Sequence, residues 1–520
     1  MAAAGGGVLY VLAFLGFGLW PLLAVFLVPL WWALERARGS GPMAPFALGF
    51  AFGAVAYAAG HPWLWALVDV FLEGDALLGG ALWSLYGVGF AGGLGVYGAV
   101  FAILRRRGRS VTLAGGAPWL ALEWLQPWPF PVQAGAALVD VGALVQVADL
   151  GGPLLLSLLV VLANGLVYET GRWWLGRRAP PRAAWGIGVA AFASVLVYGA
   201  FRTAVIEARV EAGPALRVGL VQANLGPLEK RRRERLGHER HLERTRAMLA
   251  EAPLDLVVWP ETAYARALQG PLPVSGRLVR RDLDVPLLFG GTLLDRRGAA
   301  PLQWNSALLV GPDGLIRDAY RKNLLIPIAE SIPFAGTWPA LAAALPHAQD
   351  FGASDDANAL ELGAFRIAVP ICYEAIRPAF VRRLVEESGA NLLVTLANDA
   401  WFGASREPRI HLELARMRAI EHRRFLIRAT NSGISAIVDP LGRIVARTDL
   451  LESAELRGVV RAMPGRTIYA RLGDWPGPLA LLVTLASLGS GRGSWPRPRS
   501  RVRPPPADSI NAVSSSGREK

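Results

Sequence analysis

The chain has 520 residues, 53% of them hydrophobic, with 18 tryptophans and a formal net charge of +13 at pH 7. That length exceeds one typical domain, and the apolar, tryptophan-rich composition is that of a membrane protein. The positive charge would suit nucleic acid, but many of the arginines lie beside apolar stretches where membrane topology already accounts for them, so no nucleic-acid partner is expected. A single cysteine, Cys372, excludes an intrachain disulfide and a cysteine-rich zinc site.

From the N-terminus, MAAAGGGVLYVLAFLGFGLW lacks a basic leader and runs on past signal-peptide length, which predicts a retained span. Crossing a bilayer takes about 20 apolar residues in a helix. Residues 8–34, broken by Pro21, read as two short coupled spans. Stretches 43–66, 80–104, 112–128, 150–169 and 184–203 supply five more, and 475–490 an eighth. Positive charge follows every second span: Arg36 and Arg38, then Arg105, Arg106, Arg107 and Arg109, then Arg172, Arg177 and Arg178. No Lys or Arg occurs in 39–104 or 110–171, where the short loops carry Glu73 and Asp75. Loops rich in Lys and Arg stay cytoplasmic, so both termini are expected in the cytoplasm and residues 204–474 on the opposite, periplasmic face. Arg202 and Arg209, at the end of the seventh span, run against this pattern. Gly87, Gly89 and Gly92 spell a dinucleotide fingerprint, but inside an apolar span they predict close helix packing. Glu123, Gln126 and Gln133 lie in or near the fifth span, where an ionisable group is either functional or solvated at the interface.

Beyond residue 215 the pattern changes to short apolar runs alternating with polar helical stretches, as in an α/β layered domain. Strands are predicted at 217–225, 254–260, 287–294, 304–310, 315–322, 365–371 and 391–397, with further paired strands in 426–446 around a DPLG turn. The stretch 229–249 predicts a charged helix with an apolar stripe, its His238 and His241 on a solvated face. Three chemically capable residues close strands: Glu261 after LVVWP, Lys322 after the hairpin strand, and Cys372 after AVPI, opening the helical pattern YEAIRPAFVRRLVEE. Strand ends along one rim of a sheet are where α/β folds gather chemistry. A thiol needs a base or cation beside it; a carboxylate is a base, and an ammonium steadies an oxyanion. A helix starting at Cys372 would lower the thiol further and offer the Tyr373 N–H as a second oxyanion donor.

The segments VVWPETA (257–263), YRKNLLIPIAESIPF (320–334), ICYEAI (371–376), NDAWFG (398–403) and RATNSGISAIVDPLG (428–442) resemble the nitrilase-superfamily domain of the apolipoprotein N-acyltransferase family, as does YARLGDWP (469–476) before the final span. The resemblance covers residues 1–490. It implies a transmembrane bundle of about eight spans carrying an inserted α/β nitrilase-like αββα sandwich. The boundaries it suggests are 1–210 for seven helices, 211–472 for the catalytic domain, 473–490 for the last helix and 491–520 for a disordered basic cytoplasmic tail. It also implies a bacterial inner-membrane enzyme without a cofactor or metal, with a phospholipid acyl donor and a diacylated apolipoprotein acceptor as partners. By motif, Glu261 is the general base, Lys322 the oxyanion stabiliser and Cys372 the nucleophile, with Glu330, Tyr373, Glu374 and Trp401 supporting. The family's usual His-Leu-Val-Pro-Phe-Gly-Glu run is here Leu324 to Glu330, followed by Ser331 in place of an aromatic, with Pro327 and Glu330 at their usual spacing. Two other readings compete: a tethered nitrilase-type amidase and a non-catalytic membrane scaffold.

Overall fold

An apolar chain in lipid must satisfy its backbone internally, and these glycine-, alanine- and leucine-rich runs do so as helices. The computed structural model describes residues 1–14, 17–65, 76–125, 130–131, 133–176, 179–226, 234–296, 302–327, 330–331 and 351–490. Glu73, Asp75, Gln126, Arg177, Arg178, Ile328, Ala329, the start of the 229–249 helix and the tail 491–520 lie outside these residues. Before the α/β half come α1 (Ala2–Ala13), α2 (Val28–Ala37), α3 (Met43–Gly60), α4 (Ala76–Arg106), α5 (Val111–Leu125), α6 (Ala148–Trp174) and α7 (Arg182–Ala212). Each predicted apolar stretch is occupied by a helix. Among the described residues, five segments, Trp20–Ala37, α3, Leu77–Arg106, α6 and α7, are long and apolar enough to cross a membrane. In α4 the site of the glycine fingerprint is a packing surface: a Cβ on Gly87 would lie 2.5 Å from the Tyr57 ring, although Gly92 faces open space. Glu123 is buried, not solvated; its Oε1 accepts from Trp119 Nε1 at 2.6 Å and from the Ala134 N–H at 2.9 Å.

The chain then builds two face-to-face sheets. The first has the order β14-β1-β2-β5-β6-β7-β4, with β3 (Tyr264–Gln269) paired to β5. Its strands are β1 (Ala215–Gln222), β2 (Leu256–Val258), β4 (Val274–Ser275), β5 (Leu287–Asp295), β6 (Leu302–Val310), β7 (Leu315–Arg321) and β14 (Ala454–Arg461). The second has the order β13-β12-β11-β10-β9-β8, from β8 (Leu360–Leu362), β9 (Phe365–Ala368), β10 (Leu392–Ala397), β11 (Leu426–Thr430), β12 (Ala436–Val438) and β13 (Ile444–Arg447). Alternation puts Leu256 and Val258 on one face, in one core cluster with Ile367, Val394 and Ile427 of the second sheet, while Val257 points the other way. There it meets Leu242 and Met248 of α8 (Glu234–Glu251). On the far side, α9 (Pro378–Ser388) and α10 (Glu407–His422) cover the second sheet, completing the αββα layering. His238 and His241 are not on a solvated face. His241 is fully buried, and both rings pack against Trp259, because α8 lies flat on the sheet.

The predicted strands are present. Four short or edge strands, β3, β4, β8 and β14, are additions. β14 pairs antiparallel with β1 from Ala215↔Arg461 to Gln222↔Ala454, so the domain closes where it opened. From there a short helical turn, Ile468–Leu472, leads to α11 (Pro476–Gly489). The turn docks where α6 kinks at Gly151–Gly152. Gly152 has φ 65, and a Cβ on it would lie 2.6 Å from the Tyr469 ring.

Domain and bundle share one core. Tyr373, Ile376, Phe402, Leu414, Met417 and Ile420 cluster with Trp31, Trp63, Tyr97 and Val145 of the bundle. A polar lock lies beside it. Arg423 Nε donates to Asp149 Oδ2 at 3.0 Å, Arg202 Nε donates to the same oxygen at 2.9 Å, and Tyr198 donates to Oδ1 at 2.6 Å. Arg202, out of place in the charge pattern, is thus paired with Asp149.

Candidate active site

Glu261 stands just past β2, in a turn closed by Ala263 N–H donating to Pro260 O at 3.2 Å, with Thr262 at φ 50. The turn sits against β5 only because residue 290 is glycine: a Cβ there would come within 2.5 Å of the Glu261 Cα. Lys322 extends β7 by one residue, its N–H donating to Asn305 O on β6 at 2.8 Å. β2 and β7 run in the same direction in this sheet, with two strands between them, so both end on the same rim, and there the two side chains meet. Lys322 Nζ is 3.3 Å from Glu261 Oε1 and 2.7 Å from Glu330 Oε1, and Lys322 is fully buried. Asn305 Nδ2 donates to both carboxylates, at 2.8 and 3.0 Å. Glu330 Oε2 accepts from the Ile326 N–H at 2.9 Å, which ties Glu330 to the residues that follow Lys322.

Cys372 follows β9 and joins the second sheet through a single bridge, Ile371↔Leu396. It is 6% exposed and sits at φ 51, a left-handed conformation uncommon outside glycine. Its thiol interacts electrostatically with Glu261 and Lys322, so the three predicted residues converge on one site. Glu374 lies beneath. Its carboxylate accepts from the N–H groups of Asn323 (2.6 Å), Leu324 (3.0 Å) and Ile371 (2.8 Å) and from Tyr320 Oη (2.9 Å), tying the lysine loop to the cysteine turn. Tyr373 and Trp401 face the bundle. Tyr373 meets Phe130 edge-on at 6.0 Å, and Trp401 packs on the shared core.

The electrostatics bear on what each group can do. Burial would lower the Lys322 ammonium, but the charges of Glu330, Glu261 and Cys372 outweigh it and hold the group above its usual value. Lys322 therefore stays a cation, suited to an oxyanion and not to taking a proton. Burial and the neighbouring Glu261 charge push the Cys372 thiol well up, and Lys322 only partly opposes them. This corrects the expectation of a thiol lowered by a helix start. The residues from Cys372 to Ile376 form a short 3-10 turn, and α9 begins only at Pro378, because a residue before proline is driven out of the helical region. A thiol held this high is protonated and would need a base to act as a nucleophile.

Behind the cysteine lies a second buried set. His411 Nε2 is 3.1 Å from Cys372 O and Nδ1 is 3.1 Å from Asp399 Oδ1, while Arg428 donates to Asp399 Oδ2 at 2.7 Å. Asp399, Glu407 and His411 have the spacing of a cation site. Both imidazole nitrogens are already engaged, however, and a guanidinium already balances Asp399.

Residues 217–461 match the carbon-nitrogen hydrolase family, and residues 6–166 match the apolipoprotein N-acyltransferase N-terminal domain. The apolipoprotein N-acyltransferase of Azotobacter vinelandii is 33% identical, over 98% of this chain and 97% of that protein. The chain belongs to the apolipoprotein N-acyltransferase family. Its relatives in Geobacter metallireducens (31% identical, 91% of each chain) and Pseudomonas aeruginosa (30%, 94% of this chain and 95% of that one) carry the same description. As an apolipoprotein N-acyltransferase family member with several membrane-length apolar helices, the chain is a membrane-bound acyltransferase. That sets aside the scaffold and amidase readings. Within this family frame, Asn305, Tyr320, Asp399, His411 and Arg428 are site residues that the sequence reading did not single out. An asparagine and an arginine inside otherwise apolar strands were the available signals for Asn305 and Arg428.

Proposed function

We propose that the enzyme moves a fatty acyl group from a phospholipid to the N-terminal amine of a diacylglyceryl-cysteine through a thioester on Cys372. One observation carries the reading: a buried Glu–Lys–Cys set stands at the seam between a nitrilase-like domain and a membrane bundle, beside apolar side chains of both. Glu261 takes the thiol proton as Sγ attacks the ester carbonyl, and Lys322 faces the oxyanion. The C–O bond breaks, Glu261 returns the proton to the departing lysophospholipid, and the acyl group stays on sulfur. In the second half, the acceptor amine attacks the thioester and gives its proton to Glu261. The C–S bond then breaks, and the thiolate takes the proton back. Glu330 and Asn305 hold Lys322 and Glu261 in register, Glu374 fixes the cysteine turn, and Tyr373 and Trp401 line the lipid side.

The arginine distribution supports a catalytic domain on the periplasmic face of the inner membrane, spanning about residues 211–472 between seven preceding helices and one following, with both termini cytoplasmic. Donor and acceptor are then both anchored in the leaflet against which the site rests, which raises their local concentration without a carrier. The test is incubation with radiolabelled phospholipid and a diacylated lipopeptide. Wild type transfers label to the peptide amine, and Cys372→Ser does not. A Cys372→Ala protein that still forms a labelled acyl-enzyme would overturn the scheme.

A further inference from the structure

The buried set behind the nucleophile has no part in the scheme above, yet it reaches the reacting residue at one atom. His411 is 3% exposed, and its Nε2 lies 3.1 Å from the Cys372 carbonyl oxygen. A carbonyl only accepts, and so does the Asp399 carboxylate on the other nitrogen, so the Cys372 contact is a hydrogen bond in the states of the ring that carry a proton on Nε2. The ring is fixed from the other side, with Nδ1 3.1 Å from Asp399 Oδ1 and Asp399 itself held by Arg428 at 2.7 Å. Asp399 is 1% exposed and Arg428 fully buried, so water does not compete for either contact.

The Cys372 carbonyl belongs to the same peptide unit as the Tyr373 N–H. A donor on that oxygen draws electron density along the amide and strengthens the N–H as a donor in turn. It also sets the plane of the peptide. That plane needs support, because Cys372 holds φ 51 without being glycine and the following turn is only five residues long. Lys322 approaches the thiol from the first sheet, so a donor on the second sheet's side is what completes a two-pronged oxyanion site.

We propose that His411 is a positioning residue for the oxyanion: its Nε2–H, donated to the Cys372 carbonyl, holds and polarises the Cys372–Tyr373 peptide so that the Tyr373 N–H meets the oxyanion opposite Lys322. The inference rests on the thioester reading, and its test is chosen to separate the two.

Full-length protein in lipid nanodiscs is prepared as wild type, His411→Gln, His411→Asn and His411→Leu. Glutamine places an amide nitrogen near the Nε2 position and keeps a donor for the carbonyl; asparagine reaches only the Nδ1 position, and leucine has no donor. Two rates are read: single-turnover acylation of Cys372 by labelled phospholipid, and alkylation of Cys372 by iodoacetamide, which displaces iodide without forming an oxyanion. Asn and Leu should slow acylation about tenfold with the phospholipid KM unchanged. Alkylation should stay at the wild-type rate, and Gln should recover most of the loss. Three results would each overturn the proposal: Asn and Leu acylating at the wild-type rate, alkylation falling in parallel with acylation, or Gln no faster than Asn. Should Leu not fold, the Gln–Asn pair decides alone. Absence of Cys372 acylation in the wild type would instead remove the thioester reading.

Discussion

Glu374 accepts four hydrogen bonds and is fully buried, so its charge state is a property of the fold. Burial pushes its carboxyl up to about 7 from a reference of 4.5, against the pull of Lys322 and the three backbone donors. The folded state therefore keeps a proton that the unfolded chain releases. This contribution to stability is full below about pH 4.5 and is lost as pH rises through about 7; it amounts to about 3 kcal/mol. The apparent thermal midpoint of the purified enzyme should fall from about pH 5 to 8, and Glu374→Gln should flatten that slope. Because one amide would face backbone donors, the variant should also lose about 1–3 kcal/mol at every pH. An unchanged slope would assign the pH dependence elsewhere. At Asn305, replacement by leucine leaves Glu261 and Glu330 without their common donor, and kcat should fall about tenfold with KM steady; wild-type kcat in Asn305→Leu would refute this. The meeting of Glu261, Lys322 and Cys372 was legible in the sequence because each ends its own strand beside a recognisable segment. Asn305 and His411 were not, since their roles rest on contacts 44 and 39 residues away that no local pattern announces.

Among the elements, those with strong periodicity were readable and those defined by a partner were not. The apolar helices and the central strands β1, β5 and β10 follow from composition. β14 does not, because its alternation is weak and its identity comes from lying along β1. The cysteine turn was misread as a helix start although the warning was local: Pro378 drives Arg377 to φ -97, ψ 99 and forces a break. The kink in α6 is another feature that only contact explains. Gly152→Val places a branched side chain at φ 65 against the Tyr469 ring, so it should destabilise the enzyme by about 3 kcal/mol or more and loosen α11. Thermal unfolding and protease sensitivity of the 462–475 connection would report it; a variant as stable and as resistant as wild type would contradict the packing argument.

For the whole molecule, the seam between domain and bundle is a packed core closed by a charged lock, not a hinge. Asp149→Ala strands Arg423 and Arg202 without their buried counter-ion and should cost about 3–5 kcal/mol. In a double-mutant cycle, Arg423→Ala should cost much less once Asp149 is gone; additive costs would show that the pair is not coupled. Orientation has its own test, helped by the native thiol's burial. In a Cys372→Ser background, Arg443→Cys should react with an impermeant maleimide in cells whose outer membrane alone is opened, and Arg38→Cys only after the inner membrane is breached. The reverse order would invert the assigned topology. The β1–β14 pairing bears on biosynthesis as well. The strand that opens the domain finds its edge partner 232–246 residues later, so a nascent chain cannot seal this sheet until residue 461 has left the ribosome. On the periplasmic topology proposed above, the α/β half would then pass through the export channel unfinished and complete itself only when the last helix is about to follow. A translational pause just short of residue 454 would leave an open sheet edge on the far side of the membrane, exposed to chaperones and proteases.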